Sequence, residues 1–354
     1  MQLKNVPDSE HARRFLLADG DLLISRANTR DLVGMVGRYA SDGVPCIYPD
    51  LMMRLFPDER RCSGAYLEIV LRSSTVRSEI HAGARGTSDS MVKISASFVE
   101  DIEIPLPTLE EQHRIAAAHA AFERRIGALK RVLAKLSISE QALSAKALEP
   151  RPYWKRATIE SIADVAAGVT LGAEPVGEGT LELPYLRVAN VLDGRIDTGD
   201  LKTVRIVSTQ LERYALRRGD LLLTEGGDLD KLGRGAVWDG RIAPCLHQNH
   251  VFRVRCGSRM DPDFLALYTG SAEGRAYFQR VGKQTTNLAS INSTQVKDMV
   301  VPVPPIEEQR RNLEPVRAVQ SRSRALERQI AKLRTIQQAV VEDLLDARVA
   351  AGAA

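Results

Sequence analysis

Apolar residues recur every seven positions in two long stretches of the chain. A seven-residue apolar repeat held over three or more heptads is typical of a coiled-coil seam. A shift of 197 residues superimposes the first series on the second. We therefore predict two long helices, over 109–150 and 306–347, that pack as an antiparallel pair. The predicted seam positions are Ile115, Phe122, Leu129, Leu136, Leu143, Val319, Leu326, Leu333 and Val340.

The same short motif precedes both predicted helices. It reads Pro-Leu-Pro-Thr-Leu-Glu-Glu-Gln over 105–112 and Pro-Val-Pro-Pro-Ile-Glu-Glu-Gln over 302–309. Proline is accepted before a helix and in its first turn, because its missing N–H is not needed there. The two glutamates suit the positive end of the helix dipole. The motif therefore marks the start of each helix, and Pro315 is the residue expected to bend the second one.

The repeat extends into the regions before the helices. Gly-Asp-Leu-Leu-Ile-Ser at 20–25 matches Gly-Asp-Leu-Leu-Leu-Thr at 219–224, and Pro-Cys at 45–46 matches Pro-Cys at 244–245. Matches at a nearly constant offset indicate a tandem duplication of a globular part followed by a long helix. The first copy lacks a counterpart of residues 154–199, so we expect it to be incomplete, with an open sheet edge. The alternative is a smaller, self-sufficient first domain.

Short apolar runs alternate with stretches of helical spacing in the second globular part. Buried strands are predicted around 184–189, 220–224 and 250–255, and helical spacing over 262–278. This mixture predicts an α/β (α+β) fold. We expect two globular domains separated by the coiled coil. The predicted divisions are 1–108 (first domain, incomplete), 109–150 (helix), 151–305 (second domain), 306–347 (helix) and 348–354 (disordered tail).

Composition narrows the class of protein only slightly. The net charge of +4 is too small to indicate nucleic-acid binding by itself, although it is compatible with a basic face. The four cysteines form no Cys-x-x-Cys pair, and nothing resembles a secretory signal. These features predict reduced thiols in a cytoplasmic protein. No apolar run approaches the length of a membrane span.

A glycine-rich loop at 225–235 is a candidate ligand contact. Glycines allow a backbone to approach another molecule closely, and Lys231 and Arg234 suit phosphates or guanine edges. The alternative is a plain hairpin loop. The first copy has a different sequence, Ser-Arg-Ala-Asn-Thr-Arg at 25–30, after the shared Gly-Asp-Leu-Leu. A shared framework with unlike loops suits two readers of different sequences.

The run Cys-Leu-His-Gln-Asn-His at 245–250 allows two interpretations. It has residue types that bind zinc. However, the first copy has Tyr48 and Leu51 where the histidines would be, which argues against a structural metal. The favoured interpretation is a strand whose polar side chains face a ligand, with Gln248 and Asn249 able to make bidentate contacts to adenine. A purely structural hydrogen-bonding role remains the alternative for this pair.

These motifs together resemble the specificity subunit of type I restriction–modification enzymes. The resemblance rests on the two Pro-x-Pro…Glu-Glu-Gln motifs, the segment 224–238, the segment 244–252 and the segment 283–292. It implies two target-recognition domains that read a split DNA sequence, separated by antiparallel helices. It also implies a non-catalytic subunit, with the helices and their seam as the subunit-interface region. The implied partners are double-stranded DNA, methyltransferase subunits and a restriction/translocase subunit, without a membrane, cofactor or metal.

The resemblance and the loops together give a list of candidate DNA-binding residues. Lys283-Gln-Thr-Thr-Asn287 joins the list as a polar loop whose significance comes from the resemblance. In the second domain the candidates are Glu225, Gly226, Gly227, Lys231, Arg234, His247, Gln248, Asn249, His250, Lys283, Gln284, Thr285, Thr286 and Asn287. In the first domain they are Ser25, Arg26, Asn28 and Arg30.

No catalytic motif stands out in the sequence. A methyltransferase box of the Asn/Asp-Pro-Pro-Tyr/Phe type is missing, and Asp-Pro-Asp-Phe at 261–264 is only a partial echo. We therefore predict a subunit without methyltransferase, nuclease or ATPase activity. The leading hypothesis is a DNA-recognition subunit. The alternatives are a coiled-coil adaptor of a methyltransferase complex whose first domain does not read DNA, and a free-standing DNA-binding regulator.

Overall fold

The computed structural model describes residues 5–86, 91–172, 175–227, 232–284 and 289–352. It divides into two units, each of which contains a globular part and a section of both long helices. Unit 1 comprises residues 1–133 and 325–354, and unit 2 comprises residues 134–324. Among the helices of the described residues, none has both the length and the apolar character needed to cross a membrane.

Unit 1 is built on an antiparallel sheet of order β3-β1-β4. Its central strand, β1, is a continuous run of buried residues, as expected for a strand covered on both faces. The strands are β1 Leu22–Ser25, β2 Ala27–Asn28, β3 Val36–Arg38, β4 Met52–Leu55 and β5 Val92–Lys93. The helices are α1 Glu10–Arg13, α2 Gly64–Leu71, α3 Ser74–Gly83, α4 Ala96–Glu100 and the first part of α5 Leu109–Ala147.

Unit 2 repeats this framework and adds strands before it. The added strands are β6 Lys155–Thr158, β7 Ala163–Ala167, β8 Thr180–Leu186, β9 Val191–Leu192, β10 Arg195–Ile196 and β11 Lys202–Val207. The strands that repeat those of unit 1 are β12 Leu221–Thr224, β13 Gly226–Gly227, β14 Gly235–Val237, β16 Val251–Cys256 and β18 Ala289–Ser290. The strands β15 Leu246–His247, β17 Lys283–Gln284 and β19 Val300–Val303 have no strand counterpart among the described residues of unit 1. The helices are α6 Leu211–Tyr214, α7 Pro262–Thr269, α8 Ala272–Val281, α9 Ser293–Lys297 and α10 Ile306–Gly352.

The same strand register occurs in both units. In unit 1, β1 pairs antiparallel with β4 so that Leu22 lies opposite Leu55. In unit 2, β12 pairs with β16 so that Leu221 lies opposite Val254. The sheet of unit 2 has one more strand, because its order is β14-β12-β16-β7. The duplication inferred from the sequence is therefore also present in the strand pairing, and β7 is the additional strand of this sheet in unit 2.

The long helices are unbroken and pack antiparallel within each unit, as predicted. In unit 2, Gln320 Nε2 donates to Glu140 Oε1 at 2.8 Å, and Asn312 Nδ2 donates to the Ala147 carbonyl at 3.3 Å. Positions later in α5 therefore meet positions earlier in α10. In unit 1, Gln337 Nε2 donates to Glu123 Oε1 at 2.9 Å. Pro315 lies inside α10, which continues past the predicted end of the second helix.

The seam has a second row of positions that the sequence pattern did not reveal. Ile126 and Ile330 are as deeply buried as Leu129, and Leu133, Leu326 and Leu333 pack against them. All nine predicted seam positions are buried or half-buried. The second row was missed because polar residues interrupt it. Its buried or half-buried polar members are Gln112, His119, Glu140, Gln309, Ser323 and Gln337.

The last residue of each repeated motif ties a long helix to its globular part. In unit 2, the fully buried Gln309 accepts from the Asp261 backbone N–H at 2.8 Å and donates to the Arg259 and Pro304 carbonyls at 2.9 and 2.7 Å. In unit 1, Gln112 makes three equivalent bonds, all at 2.8 Å. Its partners are the Ser63 backbone N–H and the carbonyls of Arg61 and Pro107.

The predicted elements of unit 2 are found with shifted boundaries. The run at 220–224 is β12, and the alternating run at 250–255 is β16. The strand predicted around 184–189 is the end of β8, followed by a 3-10 turn at Val188–Asn190. The helical stretch at 262–278 is two helices, because the chain turns at Gly270 and Ser271 between α7 and α8. Leu265, Tyr268 and Phe278 of these helices are buried.

Candidate nucleic-acid interface

The candidate residues of unit 2 converge on a small sheet at the end of β12. This sheet has the order β13-β18-β17, and it joins Gly226–Gly227 to Ala289–Ser290 and then to Lys283–Gln284. A Cβ atom on Gly226 would lie 3.1 Å from the Ala289 carbonyl oxygen, so glycine permits this close approach. Segments that lie about sixty residues apart in the sequence are thus neighbours in the structure.

Glu225 connects this sheet to the segment before β16. Its backbone N–H donates to the His250 carbonyl at 3.0 Å, and its own carbonyl accepts from the Ile291 N–H at 2.8 Å. Its carboxylate Oε2 lies 2.6 Å from His250 Nδ1. Three of the chain segments that the sequence singled out therefore meet at one residue. We call the residues 225–227, 248–250 and 283–284 the loop face.

The residues after β15 are fixed by their backbones, which leaves their side chains available. The Gln248 N–H donates to the Leu186 carbonyl, and the Asn249 N–H donates to the Val169 carbonyl, both at 2.9 Å. Both residues are half-buried, and their side-chain amides have no hydrogen-bond partner among the described residues. A held backbone with available amides is what a base-reading pair requires.

Gly168 sets the position of this segment. A Cβ atom there would lie 1.9 Å from the His247 carbonyl oxygen, which in turn accepts from the Val169 N–H at 2.8 Å. The residues that follow, 169–172, line a groove of about 570 Å³ together with Arg205 and Tyr214. Sequence reasoning missed this stretch, and only the close packing of Gly168 would have revealed it.

The structure corrects the expectation for His247. This side chain is fully buried, and its Nδ1 lies 2.7 Å from the Val251 carbonyl oxygen. Burial lowers the pKa of the imidazole to about 4, so it is neutral at physiological pH. Since it belongs to the core, the structure does not support a DNA contact for His247. Among the described residues, no group of three or more His, Cys, Asp or Glu side chains is placed to hold a metal ion.

The other candidates of unit 2 fall into three groups. Lys283 and Gln284 are exposed on β17. Arg234 is half-buried, and its Nε is buried without a hydrogen-bond partner in the described part of the chain. The remaining candidates lie outside the described residues, so their predicted contacts stay predictions. These are Lys231, Thr285, Thr286 and Asn287.

Unit 1 builds the equivalent position from the same framework with different side chains. Strand β2 pairs with β5, as β13 pairs with β18, so that Asn28 lies opposite Val92. Ser25 is buried, whereas Arg26 is exposed. Asn28 Oδ1 accepts from the Thr29 N–H at 2.8 Å, and Arg30 Nη1 donates to the His81 carbonyl at 3.4 Å. The unit 1 candidates therefore include two outward residues, Arg26 and Arg30, and one buried framework residue, Ser25.

Comparisons with known proteins agree with this architecture. Residues 7–137 match the family model of the type I restriction modification DNA specificity domain. The EcoKI specificity subunit of Escherichia coli K12 is 26% identical over 302 residues, which are 78% of this chain and 62% of the relative. The StySPI specificity subunit of Salmonella potsdam is 24% identical over 331 residues, 88% of this chain and 70% of the relative. This chain thus spans less than two thirds of the EcoKI subunit.

Two solved structures share the fold. The S subunit of a type I restriction–modification system from M. genitalium aligns with a TM-score of 0.55 at 14% identity, covering 92% of this chain and 83% of that one. A chain from a structural study of complex assembly in a type I R-M system aligns with a TM-score of 0.52 at 20% identity, covering 93% and 82%. Residues 7–137 thus match a type I restriction modification DNA specificity domain, and most of the chain resembles the specificity subunits of type I restriction enzymes.

Proposed function

We propose that the chain is the DNA-recognition subunit of a type I restriction–modification complex and that each unit reads one part of a split DNA target. The observation that supports this most directly is the loop face of unit 2. It gathers predicted contact residues from three separate segments at one end of β12. Unit 1 repeats the β2–β5 framework with other side chains, as two readers of different sequences require.

The residues of the loop face, together with Arg234, divide into phosphate and base contacts by their chemistry. Lys283 is an exposed cation, which suits a phosphate oxygen. Gln248 and Asn249 carry amides that pair with adenine through both a donor and an acceptor. Arg234 suits the two acceptors of guanine. Glu225 holds His250 in place, so its role is to position the loops.

The long helices are the proposed docking region for methyltransferase and restriction/translocase subunits. The seam residues pack within the chain, so another subunit would meet the outer faces of the helices. On α5 these faces carry exposed cations, including Arg124, Arg125 and Lys130. In this proposal the chain works on DNA in the cytoplasm and supplies recognition, while other subunits supply catalysis. Methyl transfer to DNA by the purified chain with S-adenosylmethionine would contradict the non-catalytic assignment.

A salt-titrated binding series tests the DNA-reading proposal. The chain, together with its methyltransferase subunit, is titrated against duplexes that carry the cognate or a scrambled second half-site. Lys283→Ala should weaken binding to both duplexes and reduce the salt slope by about one unit, since it removes one phosphate contact. Replacing Gln248 and Asn249 with alanine should cost roughly 1–3 kcal/mol per lost base contact, on the cognate duplex only.

Arg310→Ala is the matched control for charge removal. Arg310 is an exposed cation that pairs with Glu307 on α10 and is not part of the loop face. It should leave the affinity for both duplexes unchanged. If Lys283→Ala and the double amide variant behave like this control, unit 2 does not read DNA through the loop face.

The adaptor alternative is favoured by one observation in unit 1. Its sheet ends at β4 in the described residues, whereas the sheet of unit 2 continues to β7. In this alternative, unit 1 binds a methyltransferase complex without reading DNA. Arg26→Ala and Asn28→Ala separate the two functions. They should lower affinity for the cognate first half-site if unit 1 reads DNA, and should have no effect if unit 1 is only an adaptor.

A further inference from the structure

The long helices of unit 1 carry a strong excess of positive charge over one stretch. Residues 124–133 and 325–336 contain seven Lys and Arg side chains and one carboxylate, Glu327, so their net charge is +6. The whole chain has a net charge of +4, which leaves −2 for all other residues. All seven cations are exposed. We call them the basic section, and they are Arg124, Arg125, Lys130 and Arg131 on α5 and Arg328, Lys332 and Arg334 on α10.

The two halves of the basic section lie side by side. Ile126 and Leu129 of α5 pack with Ile330 of α10 in one hydrophobic cluster. At 1.5 Å per residue, the seven cations occupy about 18 Å of the helix pair, which is one charge per roughly 2.6 Å. B-DNA carries one negative charge per about 1.7 Å of its axis. The charge density of the basic section is therefore close to that of a DNA duplex and opposite in sign.

The described residues supply no partner for these cations. None of the seven forms an ion pair or a hydrogen bond there through its side chain, whereas other exposed arginines do, such as Arg60 with Asp58 and Arg241 with Asp239. Arg328 and Lys332 also lie four residues apart on α10, where like charges lower the stability of a helix. A helix surface that serves only solubility carries both signs of charge, so a surface of one sign favours the binding of a polyanion.

We propose that the basic section binds the phosphate backbone of DNA outside the bases that the loop face reads, which rests on the proposed DNA-recognition function. Five of the seven cations are arginines, whose planar guanidinium can donate to two phosphate oxygens at once. Phosphate contacts carry no sequence information. The basic section therefore adds affinity for any duplex and leaves discrimination to the loop face, and other subunits dock on the remaining outer faces of the helices.

A triple glutamine variant tests this contact. Arg124→Gln, Arg131→Gln and Arg328→Gln remove three exposed charges and introduce a residue of similar helix propensity. The full chain, together with the proposed methyltransferase subunit, is titrated against the cognate and scrambled duplexes at several salt concentrations. The slope of log K against log salt should become less steep by about 2–3 units on both duplexes, at about 0.9 per lost phosphate contact. The ratio of the two affinities should stay the same.

Two matched variants separate charge at this place from charge in general. Arg114→Gln, Arg310→Gln and Arg311→Gln remove the same number of exposed charges near the starts of α5 and α10, and they should leave the salt slope unchanged. Replacing Arg124, Arg131 and Arg328 with lysine keeps the charges and should retain most of the salt slope.

An unchanged salt slope in the first glutamine variant, or an equal change in both glutamine variants, would overturn the proposal. Loss of co-elution with the methyltransferase subunit in the absence of DNA would also overturn it, because the basic section would then bind an acidic protein surface. Failure of the DNA-recognition function itself gives a different result, in which the unmodified chain binds the cognate and scrambled duplexes equally.

Discussion

Gln309→Met removes the link between α10 and α7 while nearly conserving the side-chain volume. The wild-type amide is fully buried and makes three hydrogen bonds, to the Asp261 N–H and to the carbonyls of Arg259 and Pro304. Asp261 is the N-cap of α7, so the amide holds the start of the helix that carries Phe264 and Leu265 into the core. Methionine offers no equivalent donor or acceptor, and the three backbone groups lose their partner.

The expected loss follows from those three bonds. Each contributes about 1 kcal/mol net, and a buried group left without a partner costs roughly 1–3 kcal/mol. Partial access of water to the Arg259 carbonyl reduces the sum, so we expect Gln309→Met to lower the free energy of unfolding by about 3–5 kcal/mol. With a urea m-value of roughly 2–3 kcal/mol/M, the unfolding midpoint should fall by about 1–2 M.

Tryptophan fluorescence makes the assay specific for unit 2. Both tryptophans of the chain, Trp154 and Trp238, lie in that unit and are largely buried. Gln309→Met should therefore shift the fluorescence transition strongly, whereas Gln112→Met should act mainly on the unit 1 transition seen by far-ultraviolet circular dichroism. The matched control is Gln338→Met, because Gln338 is exposed on α10 and bonds only to Glu342 among the described residues. If Gln309→Met and Gln338→Met unfold at the same urea concentration, the buried amides do not tie the helices to their units.

Three further predictions concern the seam, the loop face and pH. Ile330→Asp should lower the free energy of unfolding, measured by thermal unfolding, by about 3 kcal/mol or more, because it buries a charge beside Ile126. Ile336→Asp is the control and should cost little, because Ile336 is 38% exposed. Equal effects of the two substitutions would contradict the seam. Gly168→Ala should displace Gln248 and Asn249 and weaken cognate DNA binding, whereas Gly172→Ala, whose Cβ meets open space, should not; equal affinities would refute this role. Burial lowers the pKa of His247 to about 4. The unfolded state therefore binds more protons than the folded state between about pH 6.5 and pH 4. The contribution of the neutral imidazole to stability is fully present above about pH 6.5 and is lost as the pH falls through this window. His247→Asn should reduce the change in the free energy of unfolding across this pH window by up to about 3 kcal/mol, measured by urea titration at each pH. An unchanged pH dependence would count against the buried neutral imidazole.

The periodic parts of the fold were predictable, and the polar part of the seam was not. The row from Ile115 to Leu143 is apolar throughout, so its spacing alone identified α5. In the second row, Ile126 and Leu133 are flanked by His119 and Glu140. A hydrophobic pattern cannot distinguish such a mixed row from a solvent-exposed face of the helix. Glutamines in that row are buried because each has a partner, and the partners are set by the tertiary structure.

The sequence predicted which segments belong to the candidate site, but not that these segments lie together on one surface. Glycines and polar residues identified the stretch after β12 and the stretch at β17 as exposed loops. Their meeting at Glu225 depends on strand pairing between distant segments, which the sequence does not reveal. His247 was misplaced for a related reason. It lies on β15, which pairs with β8 and is buried at both of its residues, so no alternation signalled which side chain faces outward.

Single-molecule methylome sequencing of cells that express this chain with the proposed methyltransferase partner tests the reading of a split DNA target most directly. We expect one split methylated motif, whose second half is degraded or lost when Gln248 and Asn249 are both replaced with alanine, while its first half is unchanged. Arg310→Ala, as the control, should reproduce the complete motif. The absence of any split motif with the unmodified chain, or an identical motif with the doubly substituted chain, would contradict the proposed DNA reading by unit 2.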